Sequence, residues 1–465
     1  MAATGHRRRW HLPKIGTHQG PLLLLLGIAI GVLTGLGAVL FHYLIAIIHN
    51  LALLQQFSFH RSLGTHTPPS PWGWALPLVP ALGGLVVIFL ARHYTSAVQG
   101  PGVSQVIEAV YRDGGRIRRN LAVLRPLATA ITIGTGGSVG LEGPVMQFGA
   151  ALASWLERLI PLSDYRRVHL LGCGVGAGVA AFFNAPLGGW LLAMEVILPD
   201  WRPWTILSTL FATIAASRTS QFFLGDFYLL RSIPVVSVGH GFQLSLFAGL
   251  GIVAALAAMV FIVTLNAVTT YSEKVFGNPY LRLALGMFLV GLLLLLTLHC
   301  TGHYYLIGGS YVGTDEILRG QIGTIGLLLL LLILKLLATS LTIGSGGSGG
   351  IFSPSLFIGA GTGALYGQLL LSCHLIPPDL LGLLALCGMA GIVAASTGAL
   401  LSAPVMVVEL TGNYGALLPA ILTAVTAFAI RRMFLKGSIW TIPLRRHGLD
   451  IPENHYALEA REPEH

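Results

Sequence analysis

The chain has 465 residues, 54% hydrophobic and only 10% charged, with a net charge of +9 and a mean hydropathy of +0.76. So few charges cannot solvate a soluble protein of this length, so the class is a polytopic membrane protein in which one helical bundle absorbs most of the chain. The basic residues cluster near the ends and in short loops, Arg7-Arg8-Arg9 before the first apolar run and Arg431-Arg432, Lys436 and Arg445-Arg446 after the last. This places both termini in the cytoplasm and, with no basic domain outside the membrane, excludes nucleic acid as a partner.

In chain order, Met1 to Gln19 is a polar tail. Pro21 to Leu54 is a tilted span with a small-residue face of Gly27, Gly31, Gly35 and Gly37. Its apolar run passes Leu40 without a cleavage site, so a signal peptide is not the reading. A loop over Ser58–Ser70 leads to a second span, Trp72–Leu90. Gly100-Pro101-Gly102 breaks the chain before a short helix from Val103 to Tyr111, and the basic Arg112–Arg119 stretch follows on the cytoplasmic side. A span from Leu121 delivers a glycine-rich loop. Helices are then predicted over Gly143–Leu159, Val168–Phe183, Pro186–Leu198 and Thr205–Phe223. Leu224–His240 reads as a hinge between halves. Phe242–Val275 and Leu281–Leu298 are spans, Gly302–Thr314 a loop, and a short helix is expected near Asp315. Ile325–Thr342 leads into a second glycine loop, Gly344–Gly350. Pro354–Leu371, Leu380–Ala395, Ala403–Thr411 and Leu417–Ala429 complete the bundle. The expected division is a tail at 1–19, a first repeat over 20–230, a second over 240–435, and a C-terminal helix and tail at 436–465. Cys173, Cys300, Cys373 and Cys387 lie in or beside apolar runs with no CxxC pair or metal spacing, and read as buried free thiols.

The first glycine loop, Thr132 to Pro144, carries one carboxylate, Glu142. Glycine lets backbone N–H groups approach a ligand closely, Pro144 suits the first turn of a helix, and a helix N-terminus behind glycine is an anion seat. Glu142 tethers a competing anion at that seat. Aligning Arg125–Pro144 with Lys335–Pro354, an offset of 210, gives eleven identities in twenty positions, and Cys173-Gly174 recurs as Cys387-Gly388. Two halves with interrupted helices at matching places predict two inverted repeats with a transport site at their interface. The same offset pairs Arg125 with Lys335. Each either serves the loop nine residues on or snorkels to an interface.

The motifs together resemble the CLC family of chloride channels and proton-coupled anion exchangers over Pro21 to Arg446. Gly100-Pro101-Gly102-Val103-Ser104 is similar to the family's GSGIP, Gly140-Leu141-Glu142-Gly143-Pro144 to GREGP, and Gly350-Ile351-Phe352-Ser353-Pro354 to GGIFAP. Asn184-Ala185-Pro186-Leu187 and Glu409–Tyr414 also fit. The resemblance implies an all-α bundle of two inverted repeats, a homodimer with one pathway per subunit, no enzyme activity and no cofactor. It implies a multi-pass protein of the plasma or inner membrane, in contact with lipids. Chloride or other small monovalent anions are the implied substrates, with protons as a further partner, and Glu142 is the implied gate. The implied anion contacts are Gly100, Pro101, Gly102, Val103, Gly140, Leu141, Gly143, Gly350, Ile351, Phe352 and Trp440.

Three positions depart from the family pattern. Pro101 replaces a serine whose hydroxyl reaches the central anion, and family members with proline here prefer nitrate. Trp440 stands for the inner tyrosine, either lining the pathway or belonging to an interfacial belt. Val196 stands for the internal proton-transfer glutamate. Its neighbour Glu195 points elsewhere on a helix, and Glu195 and Glu409 read as structural. The expected function is therefore voltage- or pH-gated anion conduction, passive or weakly coupled, with proton-coupled antiport as the alternative. A distant rival is an intramembrane serine protease using Ser348 in Gly346-Gly347-Ser348-Gly349 with His240, His299 or His303 as base. The counterpart Gly136-Gly137-Ser138-Val139 lacks the last glycine and argues for loop chemistry. Phosphate binding is excluded because no Gly-Lys-Ser/Thr follows either loop.

Overall fold

The computed structural model describes residues 20–61, 64–156, 160, 163–198, 200–225, 230, 242–446, 448–449 and 451. The N-terminal tail with its three arginines, most of the 224–240 hinge including His240, and the acidic end lie outside the described residues. Among those described, the chain is all helix, and seven helices are long and apolar enough to cross a membrane.

Eight helices form the first half: α1 (Gly20–Leu54), α2 (Leu78–His93), α3 (Val103–Arg112), α4 (Leu121–Gly134), α5 (Glu142–Leu156), α6 (Asp164–Phe183), α7 (Pro186–Leu192) and α8 (Pro203–Leu224). Eight follow in matching order: α9 (Phe242–Val275), α10 (Pro279–Thr301), α11 (Tyr311–Leu318), α12 (Ile325–Gly344), α13 (Phe352–Ser372), α14 (Leu381–Thr397), α15 (Ser402–Thr411) and α16 (Leu417–Phe434). A last helix, α17 (Thr441–Arg446), has no counterpart.

The halves meet through reciprocal contacts. Gly140 N–H donates to Gly350 O (2.8 Å) and Gly350 N–H to Gly140 O (2.7 Å). Ser138 N–H donates to Thr342 Oγ1 (3.2 Å) and Ser348 N–H to Thr132 Oγ1 (3.3 Å). Each bond maps onto its partner under the offset of 210. Residues can bond their own counterparts reciprocally where a pseudo-two-fold axis runs between them, so the inverted repeat is built into the packing.

Both repeat cations serve the loops. The Arg125 guanidinium donates through Nη1 to Ala97 O (3.1 Å) and Gln99 O (2.9 Å), and through Nη2 to Gly100 O. Lys335 Nζ contacts Gly308 O (2.7 Å), Ser310 Oγ (2.8 Å), Ser138 Oγ (2.9 Å) and Leu306 O (3.2 Å). Both cations are fully buried, so neither snorkels. Each satisfies backbone carbonyls that the broken helices would otherwise leave bare inside the membrane.

Several local features differ from the sequence expectation. The short helix α11 starts at Tyr311, four residues before Asp315. α6 starts at Asp164, because the Ser163 hydroxyl oxygen accepts the Arg166 N–H and caps it. The Pro186 helix ends in a π-helical turn, Ala193–Ile197. Pro126 lies inside α4. Cys173 and Cys387 are buried thiols, but Cys300 and Cys373 are exposed, since they sit at helix ends. On α1, Gly27, Gly31 and Gly35 face the α8 backbone at Ser208, Ala212 and Ala216, whereas Gly37 faces Phe148 of α5.

α5 and α6 cross closely, such that a Cβ on Gly149 would strike the Gly174 carbonyl and a Cβ on Gly174 the Gly149 carbonyl. Gly149→Val is expected to force the pair apart and cost on the order of 1–3 kcal/mol or more. It should lower the unfolding temperature in detergent, while Gly326→Ala, with open space at its Cβ, should leave it unchanged or raised.

Candidate functional site

The Gly100-Pro101-Gly102 turn needs left-handed backbone at both glycines, φ +76 at Gly100 and +82 at Gly102. Gly102 then caps α3, and a Cβ there would lie 2.8 Å from Arg125 Nη2, so only glycine lets the guanidinium hold the turn. Gly100 N–H donates to Gly347 O (2.9 Å), tying this turn to the second glycine loop. A Cβ on Gly143 would strike the Pro101 carbonyl and sit 3.4 Å from Gly350 Cα. The N-termini of α3, α5 and α13 therefore converge on one buried point, with three positive dipole ends aimed together.

Glu142 occupies that point, only 2% exposed. Its Oε1 accepts the N–H of Phe352 (2.6 Å) and of Ser353 (3.1 Å), and its Oε2 accepts the Ser353 hydroxyl (2.7 Å). A carboxylate held by two backbone donors at a helix N-terminus and one hydroxyl is an anion in an anion seat. If the side chain leaves, the same donors face a mobile anion.

Two residues that sequence reasoning missed complete this seat. Ser353 supplies two of the three donors, and Tyr311 Oη lies 2.5 Å from Ser353 Oγ. Ser353 carried a legible signal, since it stands where the family pattern has alanine; Tyr311, which opens α11 as Val103 opens α3, carried none. The expected contribution of Gly100, Gly140 and Gly350 also changes. Their N–H groups are committed to bonds between the halves, so these glycines shape the seat and do not donate into it. Leu141, Val103 and Ile351 are buried around it.

On the other side of the convergence, Trp440 is buried, which removes it from any interfacial belt. Its carbonyl accepts the Ser104 hydroxyl at the start of α3 (2.7 Å). Its indole N–H is buried without a hydrogen-bond partner among the described residues, so one donor of this residue stands unspent.

Val196 is buried in the π-helical turn. Glu195 points away from it and caps α15: its carboxylate accepts the N–H of Leu401 (3.0 Å) and Ser402 (3.0 Å) and the Ser402 hydroxyl (3.1 Å). Glu409 does the same for α7, accepting the N–H of Leu187 (2.9 Å) and Gly188 (2.6 Å). These are one interaction made twice under an offset of 214. Ser348 Oγ bonds Thr129 Oγ1 (2.8 Å), matched by Ser138 Oγ on Thr339 Oγ1 (3.3 Å). The serine of the protease reading is thus an inter-repeat contact, while His299 Nδ1 bonds Leu295 O and His303 stacks on His66.

Residues 83–432 match the family model described as voltage gated chloride channel, and the chain belongs to this family. It is 28% identical over 421 residues to the voltage-gated ClC-type chloride channel ClcB of Citrobacter koseri, covering 90% of this chain and 97% of that protein. It is 27% identical over 384 residues to the putative chloride channel protein ClcB-like of Ralstonia nicotianae, covering 81% and 87%. Among solved structures, a slow cyanobacterial Cl-/H+ antiporter superposes with TM-score 0.77 at 22% identity, covering 91% of this chain and 97% of that one. A CLC-type fluoride/proton antiporter gives 0.75 at 23%, covering 92% and 98%. The chain is a multi-pass integral membrane protein of an anion-transport family.

Removing the Glu195 carboxylate leaves the buried Ser402 N–H at the α15 terminus unsatisfied, at about 1–3 kcal/mol, and frees the half-buried Leu401 N–H. Glu195→Ala is therefore expected to lower the unfolding temperature in detergent, and Glu195→Gln, which keeps one acceptor oxygen, to lower it less. Equal stability of wild type and Glu195→Ala would show that the cap contributes nothing.

Proposed function

We infer that the protein passes chloride and other small monovalent anions along a pathway that Glu142 opens and closes. The observation that carries this reading is the Glu142 carboxylate seated on the Phe352 and Ser353 N–H groups, where it competes with any anion for the same donors. Protonation removes the charge-assisted part of those bonds and favours departure. On the inner side, the α3 N-terminus and the unspent Trp440 indole N–H form the next resting place. Pro101 brings no hydroxyl there, which favours weakly hydrated anions, so nitrate passes at least as well as chloride.

Passive or weakly coupled conduction is the mode that the residues support. A proton relay to the cytoplasm needs a titratable side chain, and this chain offers buried Val196 while Glu195 is engaged on α15. Coupled exchange is the second reading, favoured by the two proton antiporters whose structures superpose on this one. The basic Arg112–Arg119 stretch supports cytoplasmic termini. α7 and α15, joined by the glutamate caps, and their neighbours α8 and α16 expose Leu207, Phe211, Ile214, Leu418, Ile421 and Val425. This face suits a homodimer in which each subunit keeps its own pathway.

Glu142→Gln carries no competing charge, so its anion flux from loaded liposomes is expected to stay open and lose most of its pH dependence. Wild-type pH dependence in this variant would remove Glu142 as the gate. For the wild type, an imposed chloride gradient with the membrane potential clamped at zero is expected to move no protons uphill, with nitrate flux at least equal to chloride flux. Protons driven uphill at a fixed ratio to chloride would establish exchange instead.

A further inference from the structure

Glu142 is sealed when seated, and the gate reading requires a proton to reach it. Between the loop that follows α1 and the start of α11 lies a cavity of about 50 Å³, walled by Arg61, His66, Tyr305, Tyr311 and Leu141 among others. That volume holds roughly three waters. It lies at the end of α1 away from Gly20, the outer side under the proposed orientation. Its floor, at Leu141 and Tyr311, is next to the carboxylate but does not expose it.

We propose that Tyr311 and Ser353 form a hydroxyl relay that carries protons from this outer cavity to seated Glu142. The chain of contacts is continuous: Tyr311 Oη to Ser353 Oγ at 2.5 Å, and Ser353 Oγ to Glu142 Oε2 at 2.7 Å. Its polarity follows from the proton count. Ser353 has one hydroxyl hydrogen, and an ionised carboxylate only accepts, so that hydrogen lies toward Glu142. Tyr311 must then donate to Ser353 Oγ, which leaves a tyrosine lone pair to receive a proton from cavity water.

The step balances. A hydronium in the cavity gives a proton to Tyr311 Oη, the tyrosine hydrogen passes to Ser353 Oγ, and the serine hydrogen passes to Glu142 Oε2. Three O–H bonds break and three form. Both hydroxyls end neutral, and the one positive charge cancels the carboxylate.

Among the described residues, no other charged or titratable group hydrogen-bonds to either relay hydroxyl. Lys335 of α12 is engaged on Ser138, Leu306, Gly308 and Ser310. Arg61 stands in the cavity wall. On α11, Glu316 takes His66 Nε2 (2.6 Å) and Tyr305 Oη (2.8 Å), and Asp315 pairs with Arg319; His303 stacks on His66. α5 brings only Glu142, and α13 brings Tyr366 at its far end.

The proposal rests on Glu142 as the gate, and the test separates the two. The full chain in liposomes is subjected to a rapid acid jump, outside or inside, and the rate at which anion flux rises is recorded. Tyr311→Phe keeps the ring and the Ser353–Glu142 bond but cuts the relay. It is expected to slow the response to the outside jump at least tenfold and to leave the response to the inside jump near wild type. Ser353→Ala is expected to slow the outside response likewise, and Ser353→Thr, which restores a hydroxyl, to recover it to within about threefold. A wild-type outside response in Tyr311→Phe overturns the relay, as does equal slowing from both sides, which marks a packing role. Should Tyr311→Phe fail to insert, a wild-type outside response in Ser353→Ala overturns it equally. Glu142→Gln is the control: if it retains a wild-type rise in flux, the gate reading fails, and the relay with it.

Discussion

Two backbone hydrogen bonds between Gly140 and Gly350 hold the site together. Each glycine donates to the other's carbonyl, so the pair sits on the pseudo-two-fold axis and fixes the separation of the two halves. Everything functional hangs from that clasp. One residue after Gly140 comes Leu141, then Glu142; one residue after Gly350 comes Ile351, then Phe352. The two N-termini that face each other across the seat are thus placed by the same two bonds. A bond to backbone costs no side-chain entropy, and in a membrane the alternative is an unpaired peptide group. That makes a glycine clasp stiff enough to hold a carboxylate and three donors in register.

The ionisable groups divide by what they touch. Arg125, Lys335, Glu195 and Glu409 are buried or nearly so, and every one of them serves backbone: the cations hold carbonyls ahead of short helices, and the glutamates hold N–H groups at the starts of α7 and α15. They are the means by which a bundle of broken helices satisfies its own termini. Glu142 also accepts from helix-terminal N–H groups, and what sets it apart is place. It bonds across the axis at the meeting of three helix N-termini, and its repeat counterpart is Phe352, which has no charge. The fold is two-fold symmetric in its tethers and asymmetric at the Glu142 carboxylate.

The hydroxyls show the same asymmetry. Val103 opens α3 and Tyr311 opens α11, so one short helix starts with an aliphatic side chain and its counterpart with a phenol. Ser353 adds a second hydroxyl on the α11 side. Polar chemistry around the seat is therefore weighted toward the α11 cavity, and the α3 side is left with helix N–H groups and the Trp440 indole.

The sequence alone determined the membrane class, the eight-by-eight repeat and the position of Glu142. These rest on local properties: apolar run length, glycine and proline placement, and an offset that recurs along the chain. It also indicated that Glu195 faces away from the position of Val196, since helical spacing is a local rule. Only the tertiary structure decided what each group bonds. Whether Lys335 snorkels or tethers depends on carbonyls of residues 306–308, brought near by a turn between α10 and α11. Whether the Gly140 N–H is free for an anion depends on Gly350, and whether Trp440 is belt or interior depends on Ser104, more than 300 residues away. Ser353 and Tyr311 escaped notice for the same reason: a hydroxyl gains its meaning from the atom it touches, and Ser353 meets Glu142 across the axis while Tyr311 meets Ser353 from another helix of the same half.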